Sequence, residues 1–229
     1  MIDAPSPNHG PRRGGVLPDM VVLHYTAMAD CGAALKRLCL PSAEVSAHYL
    51  IGRDGTVWRL VDEAMRAWHA GAGRWGDVTD VNSRSIGIEL DNPGDCPFAE
   101  PQMAALEVLL PGILVRWSIP PERVIGHSDM AAARKIDPGP RFDWQRLARQ
   151  GLSVWPDAGG AGAQGADARG FAAAATRFGY APDLDDATRL AAFRLRFRPR
   201  RSGPLDGTDM ALIGDLAARF PVDRAPATA

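Results

Sequence analysis

Lysine is nearly missing from this chain. Of its 26 basic residues, only Lys36 and Lys135 are lysines; the others are arginine. Cysteine is scarce as well. Cys31, Cys39 and Cys96 make an odd number, which argues against a disulfide framework. Cys31 and Cys39 fall within one predicted helix, roughly 12 Å apart along its axis, too far for a bridge. No run of about 18 apolar residues occurs, which excludes a membrane-spanning helix. Neither sign of charge dominates: the formal net charge is −1, so there is no general attraction to nucleic acid or to an anionic membrane. No HExxH or CxxC spacing is present, so a metal site cannot be read from short ligand spacing alone. The opening stretch, MIDAPSPNHGPRRGG, has no apolar signal core. With reduced thiols, this makes the cytoplasm the expected compartment, and the periplasm the alternative if a signal has been removed.

The remaining composition is that of a soluble globular protein, 46% hydrophobic and 23% charged. At 229 residues the chain can hold one medium domain and one small one. VVLHY (21–25) reads as a buried strand, and ADCGAALKRLCL (29–40) as a helix stopped by Pro41. AHYLIGRDGTVWRLV (47–61) reads as a hairpin around a two-residue Asp54-Gly55 turn. SIGIELD (85–91) alternates Ile86, Ile88 and Leu90 against Ser85, Gly87 and Glu89, a strand pattern. Residues 101–117 have helical spacing, with Pro111-Gly112 expected to kink or split the helix. RVIG (123–126) reads as a strand and DWQRLARQ (143–150) as a helix capped by Asp143. The expected fold is α/β: a mixed central β-sheet flanked by helices, plus a small C-terminal three-helix domain. The boundaries are a main domain over 1–155, a flexible linker over 156–170, and the helical domain over 171–229. In that last segment, RLRFRPRR (194–201) is expected to be a solvated basic face, with attraction to acidic peptides as the functional alternative.

Of the five histidines, His24 sits near the end of one predicted strand and His127 directly after another. Strand ends are where α/β sheets gather catalytic groups. GHSDMAAARKIDPGP (126–140) is the densest stretch, and it holds Lys135. A lysine among arginines suggests a position that needs a compact ammonium rather than a planar fork. Taken in order, VLHYTA, VSAHYLIGRDG, AWHAG, NSRSIGIEL and GHSDMAAARKIDPGP resemble the zinc-dependent N-acetylmuramoyl-L-alanine amidases of the type 2 family, over roughly residues 20–156. VWPD (154–157) resembles the end of the catalytic domain in a bacterial branch that continues into a small helical domain.

The resemblance implies one catalytic zinc ion held by His24, His127 and Asp137. Three protein ligands leave the fourth tetrahedral position open, as catalysis requires. It implies Glu89 as general base, and the alternation puts Glu89 on the face of Ser85 and Gly87, away from the aliphatics. It implies Lys135 as an oxyanion-holding group; in an extended segment Lys135 and Asp137 point to the same side. Arg134 reads as solvated. His69, Trp68, Asn82 and Arg84 are assigned to the substrate side, Trp68 with a packing alternative and Asn82 and Arg84 with a surface alternative. His48 is placed with them, with core packing equally open. The implied reaction is hydrolysis of the amide between N-acetylmuramic acid, in its 1,6-anhydro form, and L-alanine, as part of peptidoglycan recycling. The partner is therefore a muropeptide or peptidoglycan, with no nucleic acid and no membrane span. Alternatives are a broader envelope hydrolase and a non-catalytic recognition module. The second is disfavoured because all three ligands, Glu89 and Lys135 are present. The C-terminal helices resemble, more weakly, peptidoglycan-binding three-helix domains.

Overall fold

The computed structural model describes residues 1–157 and 165–222. In chain order the strands are β1 (Ile2–Asp3), β2 (His9–Pro11), β3 (Met20–Tyr25), β4 (Tyr49–Ile51), β5 (Val57–Arg59), β6 (Met65–Ala67), β7 (Ser85–Leu90) and β8 (Val124–Gly126). The helices are α1 (Cys31–Leu38), α2 (Val81–Arg84), α3 (Glu100–Trp117), α4 (His127–Met130), α5 (Trp144–Arg149), α6 (Ala168–Phe178), α7 (Asp186–Phe197) and α8 (Gly207–Arg219). β3 is the hub and pairs in parallel with β7 on one side and β8 on the other. β4 runs parallel to β7 and antiparallel to β5, and β1 closes the edge beside β5. The order is β1-β5-β4-β7-β3-β8, a mixed sheet, with β2 and β6 forming a separate ribbon.

β3 is apolar along its length because both of its faces are covered. Val21 and Leu23 join Ile86, Ile88 and the α3 residues Leu106 and Leu110 in one cluster. Met20 and Val22 face the other way, into a cluster with Ile125, Trp75, Phe171, Phe193 and Ile213. The three C-terminal helices therefore supply one of the layers on the sheet. Each fully buried phenylalanine there contributes about 1.5–3 kcal/mol. His24 is the next residue on the Met20–Val22 face, at the strand's C-terminal end. No helix among the described residues is long and apolar enough to cross a membrane.

Four local expectations need correction. Helix α3 runs unbroken from Glu100 to Trp117 with Pro111 inside it. Pro111 and Gly112 are both exposed, so the helix is not split at the pair and its buried face stays continuous. The hairpin turn is longer than two residues: Gly55 N–H closes on the Gly52 carbonyl (3.0 Å), and Gly55 takes φ +84°. Helix α6 starts at Ala168, inside the expected linker, because Asp167 caps it; residues 158–164 of that linker lie outside the described residues. The fourth correction concerns the basic stretch, which is solvated only at its end, where Arg200 and Arg201 are exposed. Arg194 and Arg196 are buried. Arg194 Nε donates to Asp209 Oδ1 (3.1 Å) and Arg196 Nη1 to Asp129 Oδ2 (2.7 Å). Arg198, one turn beyond Arg194, reaches Asp206 and the same Asp209.

Candidate metal centre

Parallel pairing of β3 with β7 sets His24 directly beside Glu89. β8 ends at Gly126, and His127 opens α4 at once. The loop after α4 returns Asp137, tied back by Ser128 N–H donating to the Asp137 carbonyl (2.9 Å). Three chain segments thus meet at one point. His24 Nδ1, His127 Nδ1 and Asp137 Oδ2 lie 3.0 Å from one another. They are the one group of this kind among the described residues.

The outer hydrogen bonds decide the tautomers. Ser85 Oγ–H donates to the Val81 carbonyl (2.5 Å), so Ser85 Oγ accepts from His69 Nε2–H (3.1 Å). His69 Nδ1 is then the acceptor for His24 Nε2–H (3.0 Å). His127 Nε2–H donates to the Ala70 carbonyl (2.8 Å). Both Nδ1 atoms are left with lone pairs that face a carboxylate oxygen. Three acceptors converging without a proton among them call for a cation. Their spacing is close to the roughly 3.3 Å edge that ligands about 2.05 Å from a tetrahedral ion require. The donor set therefore fits a divalent metal.

Electrostatics agree with this reading. Burial, reinforced by His127 and opposed by Asp137, pushes the His24 imidazole down to about 4, so it stays neutral and able to ligate. Burial works against the charge of Asp137, but the neighbouring nitrogens of His127 and His24 outweigh it and hold the carboxyl well below its usual range. Glu89 is pushed up to about 8 by burial first and by the Asp137 charge second, with Lys135 opposing. Its Oε2 is buried and has no hydrogen-bond partner. Burial and the Asp137 charge both favour the protonated carboxyl while no cation is bound; a divalent ion held by His24, His127 and Asp137 would oppose them and leave Glu89, with its open oxygen, a carboxylate able to accept a proton.

These groups open on a cleft of about 570 Å³, also lined by Trp68, Arg37, Arg134 and the exposed Lys135. Lys135 thus shares the cleft with Glu89 and the His24, His127 and Asp137 group. Arg134 is not simply solvated: its Nε donates to the Ala72 carbonyl (2.7 Å) and its Nη2 to the Ala70 carbonyl, bracing the loop that holds His127.

The structure moves several residues off the substrate side. His69 stays on the cleft wall, where its two ring nitrogens are engaged by His24 and Ser85, so it also orients His24. Asn82 is buried; its Oδ1 accepts from the N–H groups of His69 (3.0 Å) and Ala70 (2.8 Å) and so shapes the loop carrying His69. His48 is fully buried, with Nδ1 accepting from Gly87 N–H (2.9 Å) and Nε2–H directed to the Met65 carbonyl (3.1 Å); it is core, not substrate contact. Arg84 pairs with Asp19, which precedes β3, at the strand end opposite His24. Trp68 lines the cleft. Ser85, Ala70 and Asp129 were not singled out from the sequence. Asp129 alone had a signal there, three residues after Gly126 at a strand-to-helix junction, the spacing of a capping box.

The family model described as N-acetylmuramoyl-L-alanine amidase matches residues 14–140. Among curated proteins, the amidase AmiD of Escherichia coli (strain K12) is 36% identical over 234 residues, covering 89% of this chain and 84% of that one. The 1,6-anhydro-N-acetylmuramyl-L-alanine amidase AmpD of Enterobacter cloacae is 32% identical over 167 residues, covering 64% of this chain and 89% of its own length. A solved complex of E. coli AmiD with anhydro-N-acetylmuramic acid-L-Ala-D-gamma-Glu-L-Lys superposes with a TM-score of 0.81 at 35% identity, covering 92% of this chain and 93% of that one. AmpDh3 of Pseudomonas aeruginosa, in complex with an anhydromuramic pentapeptide, gives a TM-score of 0.78 at 32% identity over 92% of this chain and 95% of that one. With the family match spanning more than half of the chain and AmiD 36% identical across most of both chains, the chain belongs to the N-acetylmuramoyl-L-alanine amidase family.

Proposed function

We propose that this amidase hydrolyses the bond between anhydro-N-acetylmuramic acid and L-alanine in soluble muropeptides, with one zinc ion held by His24, His127 and Asp137. The observation that carries the reading is the placement of Glu89, with an open buried oxygen, beside a three-ligand set on one cleft. When bound, zinc supplies a water of pKa about 7 and a Lewis acid. Glu89 takes the proton from the attacking water as its oxygen bonds to the amide carbon. Lys135, as a compact cation on the cleft wall, holds the charge that develops on the carbonyl oxygen. Glu89 then passes its proton to the departing nitrogen as the C–N bond breaks, freeing the L-alanine amine. His69 and Ser85 keep His24 in the ligating tautomer throughout.

Relatives named for, or solved in complex with, anhydro-muramyl peptides support the substrate class. The cytoplasm is the compartment we propose for this role, on the odd number of cysteines. A broader envelope hydrolase is the second reading; its support is that AmiD and AmpDh3 match this chain through the C-terminal helices, whereas AmpD matches 64% of it. Incubating zinc-loaded protein with a soluble anhydro-muramyl tripeptide and with intact sacculi, with products read by mass spectrometry, separates the two. Peptide released from the soluble substrate alone supports recycling. Release from sacculi as well supports the envelope reading. Cleavage of neither, with zinc bound, removes the amidase assignment.

A further inference from the structure

Helix α4 is a single turn, and such a turn has no stability of its own. Its first residue is the ligand His127, so whatever holds the turn also holds the ligand. The holding group is Asp129. Its Oδ2 accepts from Gly126 N–H (2.8 Å), closing the entry to the turn. Two more donors reach the same carboxylate, and both come from the C-terminal third of the chain. Tyr180 O–H donates to Oδ1 (2.9 Å), and Arg196 Nη1–H donates to Oδ2 (2.7 Å). Arg196 extends the tie, with Nη2 donating to the Val124 carbonyl and to Ser153 Oγ (3.1 Å each) and its guanidinium lying 4.1 Å from the Trp144 ring centroid. Asp129, Tyr180 and Arg196 are all buried, and none lines the cleft. An ion pair this deep is weak evidence of stabilisation, since an apolar replacement is often as stable. What it supplies is direction: a planar fork fixes where one carboxylate sits.

We propose that Arg196 and Tyr180 are positioning residues of the metal centre: they fix Asp129 and, through it, the turn that presents His127. The C-terminal helices are then part of the active-site scaffold, and their effect extends to small soluble substrates. This rests on the zinc reading above. Full-length Arg196→Met, Arg196→Lys and Tyr180→Phe are compared with Phe193→Leu, which loosens the same helical layer without touching Asp129. Zinc affinity is read by chelator competition, and hydrogen exchange of amides 126–131 is read in zinc-free protein. Arg196→Met and Tyr180→Phe weaken zinc binding about 10- to 100-fold and speed exchange in 126–131. Arg196→Lys recovers part of the loss, because one ammonium cannot reproduce the fork. Phe193→Leu leaves both readings near wild type. Wild-type affinity and exchange in Tyr180→Phe and Arg196→Met, or an equal loss in Phe193→Leu, overturns the proposal. A wild-type chain that binds no zinc refutes the metal reading instead, and the exchange comparison still decides this one.

Discussion

Gly87→Ala isolates the histidine relay with one methyl group. A Cβ at position 87 would lie 2.4 Å from His69 Cγ and 2.5 Å from its Cδ2, closer than real Cβ contacts come. Strand β7 cannot yield, because it is paired on both sides, with β3 and with β4. The His69 ring must therefore withdraw by about 1 Å to reach an ordinary contact of ~3.4 Å. A retreat of that size takes its 3.0 Å hydrogen bond with His24 out of bonding range. One neutral hydrogen bond is worth about 1 kcal/mol and overpacking costs about 1–3 kcal/mol, so stability falls by roughly 2–4 kcal/mol. Zinc affinity and kcat/KM fall about 10- to 100-fold, because His24 loses the partner that holds its tautomer. Urea unfolding, chelator competition and turnover of an anhydro-muropeptide measure the three effects. Gly214→Ala is the control: nothing lies within 4 Å of its added methyl, and its helical site favours alanine by about 1 kcal/mol. Wild-type zinc affinity in Gly87→Ala would refute the relay, whatever happens to stability.

Other outcomes follow from the same geometry. Glu89→Gln keeps the metal and lowers kcat by about 10²–10⁴; retained turnover would remove Glu89 as the proton carrier. Lys135→Ala lowers kcat by roughly 10²–10³, or about 3–4 kcal/mol of barrier, with zinc still bound; wild-type turnover would exclude it. His48, held neutral by burial with a pKa near 4 against 6.5 unfolded, binds fewer protons folded than unfolded across that window. Its stabilisation is therefore complete above pH 6.5 and falls by about 3 kcal/mol towards pH 4. Urea midpoints at pH 7 and 4.5 test this, and His48→Gln should flatten the slope. Arg37→Glu reverses an exposed charge on the cleft wall. It should raise KM for an acidic stem peptide roughly three- to tenfold and leave kcat alone; a change confined to kcat would contradict the role.

Strand identity and facing were legible from the residues themselves. The apolar run VVLHY and the alternation in SIGIEL name two neighbouring central strands, and the alternation already turns Glu89 away from the aliphatics. Motif order pointed to His24, His127 and Asp137, which the fold brings together. Periodicity, however, reports which side of an element is covered and not by what. It does not show that His24 and Ser85, 45 and 16 residues away, engage both ring nitrogens of His69. For the same reason RLRFRPRR read as a solvated face, since Asp129 lies 67 residues before Arg196. A local basic run is ordinarily solvated unless a distant carboxylate is folded against it. The sequence by itself determined the central strands and the side of the sheet on which His24 and Glu89 sit. Only the tertiary structure decided which buried polar groups answer one another, because a hydrogen bond or ion pair between distant segments exists only once packing has excluded water and left each partner nothing else to bind.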